Sequence, residues 1–422
     1  MPVRIVVGAQ YGDEGKGKMV DYLSQQADLI VRFQGGDNAG HTVVNAQGAF
    51  KLHLIPCGIF EPQCSVLIGT GTVVNPNELL KEMGQLAEAG VDLSRLYVSE
   101  KAVILMPYHV EKDQLSEAGK SSIGTTKRGI GPAYADKALR LAFRFEDLLD
   151  EGSWAERIDR VLPLINAPLV AMGGTPVEAK EIIDWFREWQ KHLAPRIVHP
   201  LALVHRALEE KKSLVFEGQL GAMKDLDWGI YPYVTSSHPV AAYACVSSGI
   251  PIRAVTDILG VAKAFSSAVG AGPFPTEMDE EFAAQFRGTG REVDDEFGAR
   301  TGRARRLGWL DLPVLRHAAL VNGFTELAVL KMDKLDDFYC IQVCEGYELD
   351  GVRLQWLPKT SDLWRVKPIY RSMPGWKTST RNIRKISDLP AEARAYLRVI
   401  EQAVGVPVRY VGVGPEREQL AI

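Results

Sequence analysis

The residues with the most chemical content lie near the start of the chain, Gly8-Ala-Gln-Tyr-Gly-Asp-Glu-Gly-Lys-Gly-Lys18. They follow a short apolar run, Val3-Arg-Ile-Val-Val7, and precede an amphipathic stretch, Met19 to Leu23. That order predicts a strand, a glycine-rich turn and a helix start. Such a turn leaves backbone N–H groups aimed outward, where they can hold phosphate oxygens. Gly12 to Lys18 has the spacing of a phosphate-binding loop, G-x-x-x-x-G-K. Met19 stands where that motif has Ser or Thr, so a magnesium ligand must come from elsewhere, and Asp13 inside the loop is the candidate.

Seven further segments carry chemistry, and all read as loops, where functional residues concentrate. Gln34-Gly-Gly-Asp-Asn-Ala-Gly-His41 follows the second apolar run. A cation or donor at His41 can stabilise charge on a transferring phosphoryl group. Asp37 and Asn38 either reach a nucleotide or cap the turn. Ile123-Gly-Thr-Thr-Lys-Arg-Gly-Ile-Gly-Pro132 offers two hydroxyls and two cations, suited to a phosphate monoester. Phe216-Glu-Gly-Gln-Leu-Gly221 and Tyr231-Pro-Tyr-Val-Thr-Ser-Ser237 come next, then the rigid Val269-Gly-Ala-Gly-Pro-Phe-Pro-Thr276. Gly298-Ala-Arg-Thr-Gly-Arg-Ala-Arg-Arg306 places four arginines in seven residues, the guanidinium forks that recognise carboxylate or phosphate. In Lys331-Met-Asp-Lys-Leu-Asp336 a Lys-x-Asp can sandwich a guanine ring while the carboxylate accepts from N1–H and N2–H₂.

The elements that must position these loops are apolar runs with the look of buried strands: Val3–Val7, Leu29–Phe33, Ser65–Ile68, Leu96–Ser99, Ser213–Phe216, Ile252–Thr256, Glu326–Lys331 and Pro407–Val411. Helical periodicity lies between many of them, as in Asn77–Ala89, Leu312–Val321 and Ala391–Ala403. The alternation implies an α/β fold with a large, mostly parallel central sheet covered by helices on both faces. Residues 145–210 read as a helical insertion without chemistry, with Trp154, Ile158, Val161, Leu162, Trp185 and Trp189 as packing residues.

The 422 residues are 46% hydrophobic and 24% charged with a net charge of −4. That composition fits a globular chain, here read as a single elaborated domain over 1–422, since no linker or low-complexity tract divides it. The balance argues against bulk electrostatic binding to nucleic acid. Five cysteines at irregular spacings, without C-x-x-C, argue against a disulfide frame or a zinc site and for free thiols in a reducing compartment, hence a cytoplasmic protein. A strand expected from residue 3 leaves no room for a signal peptide. No run of about 18 apolar residues is available to span a membrane.

Taken in order, these segments resemble the adenylosuccinate synthetase family. The resemblance rests on GDEGKGK at 12–18, QGGDNAGHT at 34–42, GTTKRGIGPAYADK at 124–137, FEG at 216–218, YPYVTSS at 231–237, VGAGPFPTE at 269–277, TGRARRLGWLD at 301–311, KMDKLD at 331–336, MPGW at 373–376 and GVPVRYVGVGPER at 405–417. It implies a homodimeric ligase that condenses L-aspartate with C6 of a 6-oxopurine 5′-monophosphate, driven by GTP with Mg2+. It further implies that Asp13 is base and magnesium ligand, with Gly40 as a second ligand. His41 would stabilise the departing bridge oxygen of GTP. Gly12, Gly15, Lys16, Gly17, Lys18, Gly40 and Thr42 would hold the phosphates, and Lys331, Asp333 and Gly414 the guanine. Asn38, Thr126, Leu220 and Thr235 match the monophosphate site, with Arg140 donated to it by the other subunit. Thr301 and Arg303 match the loop that closes on aspartate.

The departures cluster around the monophosphate. The family pattern F-E-G-A-Q-G is Phe216-Glu-Gly-Gln-Leu-Gly221 here, so Leu220 replaces a glutamine that helps hold O6 and N1 of the base. Lys127 replaces a glycine, Ala268 an arginine and Arg300 a threonine, and His238-Pro-Val-Ala-Ala242 replaces a polar run. Losing a buried hydrogen bond costs about 1–3 kcal/mol. Either Gln219 or a water substitutes and IMP is the substrate, or the base is guanine. In the second case the chain performs the chemistry of the related phage 2-aminoadenylosuccinate synthetase on (d)GMP, although Asp13 stands here where that enzyme has serine. A GTP-binding regulator without catalysis is a third reading, opposed by the intact Asp13, His41, Lys16 and the Arg303–Arg306 cluster.

Overall fold

In the computed structural model, residues 2–45, 47–119, 122–292, 295–298 and 302–422 are described. Their central sheet has ten strands, which from edge to edge are Leu420–Ala421, Val408–Gly412, Glu326–Leu330, Asp257–Lys263, Val3–Gly8, Leu214–Gly221, Leu29–Arg32, Ser65–Ile68, Leu96–Ser99 and Ile197–Val198. Every neighbouring pair is parallel except Val408–Gly412 with Leu420–Ala421 at one edge.

Two faces are buried, which is why the strands read as continuous apolar runs rather than alternating ones. Val6, Ile30, Val66, Val215 and Leu259 enter one core, and Ile5, Val7, Val31, Leu67 and Phe216 the other. Some helices start where a side chain can satisfy the first N–H groups. Asn75 accepts from Asn77 and Glu78 at the head of Pro76–Glu88, and Asp311 accepts from Val314 at the head of Leu312–Asn322. Proline occupies the first turn of both, where no N–H is needed.

Residues 145–210 are helical, as Trp154–Ala171, Ala179–Leu193 and Pro200–Glu209. Trp154, Ile158, Val161 and Trp189 join the same core as Val66 and Val98 of the sheet, and Leu162 and Trp185 pack against it partly buried. The stretch also supplies the edge strand Ile197–Val198. Its tryptophans are packing residues, and the Trp189 indole donates to Asn77 Oδ1 at 2.8 Å.

One expected strand is misplaced. Ile252–Thr256 is not a strand: Ile252–Ala254 is a 3₁₀ turn after Pro251, and Ile252 is 82% exposed. The strand is Asp257–Lys263. Its pattern is interrupted by Gly260, whose missing side chain leaves room for Phe324 and Leu327, each with an atom 2.8 Å from where a Cβ would stand. The run Ser213–Phe216 also extends further than its apolar residues suggest, to Gly221.

Parallel strands bring their carboxyl ends to one edge, where ligands bind in such sheets. There Val3–Gly8 releases the glycine-rich loop, flanked by the ends of Leu214–Gly221 and Asp257–Lys263. Leu29–Arg32 leads into the segment ending at His41, and Glu326–Leu330 into Lys331. All five cysteines are free, and no helix among the described residues is long and apolar enough to cross a membrane.

Candidate active site

The loop after the first strand turns at Gly12 (φ 103°) and Gly15 (φ 99°), with Asp13 also left-handed at φ 60°. The helix Lys16–Ser24 follows directly, so its first N–H groups face the loop. Glu14, fully buried, shapes the turn: one carboxylate oxygen accepts from the N–H of Gln10 and of Gly12, at 3.1 and 2.8 Å. Its other oxygen accepts from the Lys16 ammonium at 2.5 Å. Lys16 is therefore held back along the loop in this structure. Lys18 points away from the loop, donating to the carbonyls of Gly414 and Gln419 at 2.6 and 2.8 Å. Burial lowers its pKa to about 8.

Two adjacent cavities open at the strand ends. One is lined by Gly15, Lys16, Gly17 and Lys18 and by Thr42, Lys331, Asp333 and Gly414. The other is lined by Asn38, Thr126, Thr235 and Arg303. Asp13, Ala39, Gly40, Leu220 and Gly298 line both. Apart from Gly12, which lines the second cavity, the expected triphosphate and guanine residues thus share one cavity, and most of the expected monophosphate residues share the next. Asp13 and Gly40 stand on the common wall. Arg140 lines neither; it is exposed at the end of the helix Ile130–Leu139. Thr301 lies outside the described residues.

Asp13 belongs to a charge network that sequence reading did not find. Arg305 Nε donates to Asp13 at 2.9 Å and Arg305 Nη1 to Glu296 at 2.8 Å. Glu296 also accepts from Lys263 at 2.7 Å and from Lys331. Burial would raise the Asp13 pKa, but the charges of Arg305, Lys263 and Lys16 outweigh it and hold it below the usual carboxylate value. Burial likewise opposes ionisation of Glu296, yet Lys263, Lys331 and Arg305 hold it well below the ordinary range. Lys263, fully buried, is pushed down to about 7, chiefly by burial. Its only sequence signal is a lysine closing an apolar strand; Glu296 sits in a polar loop that reads as solvated.

His41, 8% exposed, lines the triphosphate-side cavity. Its Nδ1 lies 2.5 Å from Glu217 Oε1, and Glu217 Oε2 accepts from the Cys57 backbone N–H at 2.9 Å. Burial alone would raise the Glu217 pKa, but the His41 and Arg32 charges and the hydrogen bonds hold it down. A carboxylate on Nδ1 fixes the ring and its tautomer and leaves Nε2, buried and without a partner, for chemistry. Glu217 falls in the FEG segment, but nothing in its spacing pairs it with a histidine 176 positions away.

The altered segment 216–221 resolves one expectation. Gln219 does not replace the missing amide at position 220. Its Oε1 accepts from the Gly36 N–H at 2.9 Å, and its Nε2 donates to Gly36 O and to Asn38 Oδ1, both at 3.1 Å. Leu220 adopts a left-handed backbone (φ 64°), which turns Gln219 into the 34–38 segment and puts an apolar side chain on the wall shared by the cavities. Lys224, lining the monophosphate-side cavity, was not anticipated either; its ammonium donates to Tyr233 O at 3.0 Å, and burial, then Arg306, lowers its pKa to about 8.

The family model for adenylosuccinate synthetase matches residues 5–421. Adenylosuccinate synthetase 1 of Methanosarcina acetivorans is 53% identical over 423 residues, covering all of both chains. That of Synechococcus is 46% identical, covering 99% of this chain and 96% of the relative. Among solved structures, the fully ligated enzyme of Plasmodium falciparum superposes with a TM-score of 0.91 at 33% identity over all of both chains. The succinoaminodeoxyadenylate synthetase of cyanophage S-2L, bound to dGMP and dATP, superposes at 0.61 with 18% identity, over 99% of this chain and 94% of that one, a likeness of fold alone. With its cavities meeting at a phosphate-loop carboxylate, this chain belongs to the adenylosuccinate synthetase family of GTP-dependent ligases that form a carbon–nitrogen bond.

Proposed function

We propose that the chain joins L-aspartate to C6 of IMP, consuming GTP and releasing adenylosuccinate, GDP and phosphate. The observation that carries this reading is Asp13, an ionised carboxylate on the one wall that both cavities share. IMP occupies the cavity of Asn38, Thr126 and Thr235, and GTP the cavity of the phosphate loop, with its guanine toward Lys331, Asp333 and Gly414. Asp13 takes the N1 proton of the purine as O6 attacks the γ-phosphorus. His41, braced by Glu217, donates toward the departing β–γ bridge oxygen. The amine of aspartate, held by Arg303 and Thr301, then displaces phosphate from C6. In-line placement and fixed charge carry most of such a transfer.

The Asp13 carboxylate and the Gly40 carbonyl at the junction are oxygen donors of the class Mg2+ takes, and both line the two cavities. When bound there, Mg2+ would neutralise phosphate charge. Asp13 is also what distinguishes a catalyst from a mere GTP-binding regulator.

Offering IMP, dIMP, GMP and dGMP in parallel with aspartate and GTP, and weighing the product by mass, tests the substrate. IMP should be succinylated and phosphate released only when nucleotide and aspartate are both present. Turnover of dGMP and not IMP would overturn the assignment in favour of the guanine substrate, and no phosphate release with any pair would favour the regulator.

We place Arg140 at the 5′-phosphate of a second subunit's site in a cytoplasmic homodimer, consistent with its exposure outside both cavities of its own chain. Arg140→Leu should raise the KM for IMP about 10- to 100-fold, the worth of charged hydrogen bonds to a phosphate. Mixing it with an Asp13→Asn chain should restore one working site per heterodimer. No recovery in the mixture would show that Arg140 acts within its own chain.

A further inference from the structure

Behind the phosphate loop, three side chains of different chemistry point at one another. His41 Nδ1, Cys57 Sγ and a Glu217 oxygen all lie within 4.8 Å of one another, in a buried position. Cys57 Sγ is 3.5 Å from His41 Nδ1 and 3.4 Å from Glu217 Oε1. Cys57 and Glu217 are fully buried. A tetrahedral zinc ion with ordinary bond lengths of about 2.0–2.3 Å separates neighbouring ligand atoms by roughly 3.3–3.8 Å. Two of the three edges therefore already match, and only the His41–Glu217 edge, at 2.5 Å, must widen.

We propose that His41, Cys57 and Glu217 form a binding site for a thiophilic divalent cation of the Zn2+ class, and that an ion there shuts the enzyme off. The donor set is one sulfur, one nitrogen and one oxygen, which selects Zn2+ over the oxygen-seeking Mg2+. Binding involves no change of oxidation state: the Cys57 thiol gives its proton to solvent, as does any proton on Nδ1, and the thiolate and ring nitrogen take up the ion. Three protein ligands leave a fourth position for water. Residue 17 has no side chain and its backbone packs directly against the cluster: a Cβ there would lie 2.9 Å from His41 Cβ and 3.4 Å from Cys57 Sγ. His41 also lines the open triphosphate-side cavity, which gives the ion its approach. Inhibition follows from the contact already described, since the ion takes the Nδ1 atom and the carboxylate that together fix the ring. The last step rests on the proposed role of His41; the binding itself does not.

Cys57→Ser and Cys57→Ala keep the backbone N–H that donates to Glu217 and remove only the thiol, so turnover in the presence of a chelator should match the unmodified chain. Co2+ serves as the probe of binding. The intact protein should show the near-ultraviolet thiolate-to-cobalt charge-transfer band with one equivalent, and both variants should lack it. Zn2+ should inhibit the intact protein, with recovery on chelation, and the variants should need at least about tenfold more zinc, the effect that even an outer partner of a ligand has on metal affinity. Absence of the cobalt band, or a band of equal strength in the variants, overturns the site. Equal zinc sensitivity of all three proteins overturns the inhibition. Because the band is read without substrates, a failure of the assigned reaction would leave it unaffected.

Discussion

Asp13→Asn is expected to lower turnover by on the order of 10³-fold, the middle of the range for removing a positioned general base. The substitution keeps an oxygen that can accept from Arg305 Nε, the contact made at 2.9 Å by the native carboxylate. Fold and nucleotide binding should therefore survive, and the loss should fall on kcat rather than on the KM for GTP. The free carboxylate is held ionised by Arg305, Lys263 and Lys16 against the effect of burial. In the proposed reaction it stands ready to accept a proton, although its lowered pKa makes it a weaker base. Arg305 is shared, since its Nη1 also donates to Glu296 at 2.8 Å. Steady-state kinetics with a parallel melting curve separate the outcomes. Full activity in Asp13→Asn would remove the base from the mechanism.

Glu217→Gln should cost about 100-fold in kcat, the penalty of letting a catalytic group drift by roughly an ångström. The amide can still meet His41 Nδ1 and the Cys57 N–H, but it carries no charge to balance a protonated ring. The KM values should change little, because Glu217 is buried behind His41 and lines neither cavity. A double-mutant cycle with His41→Asn tests the coupling: if Glu217 acts only through the ring, the double variant should be no slower than His41→Asn alone. Additive losses would mean that Glu217 has an independent role.

These two residues also mark how far the sequence could be read. The loop carrying Asp13 was legible because glycine spacing and the strand before it are local features. Seven of the eight expected strands stand close to where apolar runs placed them, since a strand buried on both faces writes itself as consecutive apolar residues. Asp257–Lys263 was missed because it carries a glycine where a neighbour packs against the backbone and ends in a charge that belongs to the site. The partners of the site residues were hidden for a different reason. Glu217 meets His41 across 176 positions, and Glu296 meets Lys263 across 33 and Lys331 across 35. Such contacts arise from the order of strands in the sheet, which no local pattern encodes. The consequence of Leu220 was half visible: its type announced a lost amide, but only the left-handed backbone reveals that Gln219 is turned into the 34–38 segment.

The central claim is that the shared wall lets the purine oxygen attack GTP, so that O6 itself leaves with the phosphate. Labelling IMP with ¹⁸O at position 6 and weighing the inorganic phosphate released during turnover tests it most directly. The account predicts one labelled oxygen in each phosphate formed by the native protein. Unlabelled phosphate released together with adenylosuccinate would contradict it, because GTP would then have been spent on water or on the aspartate carboxylate and not on the purine.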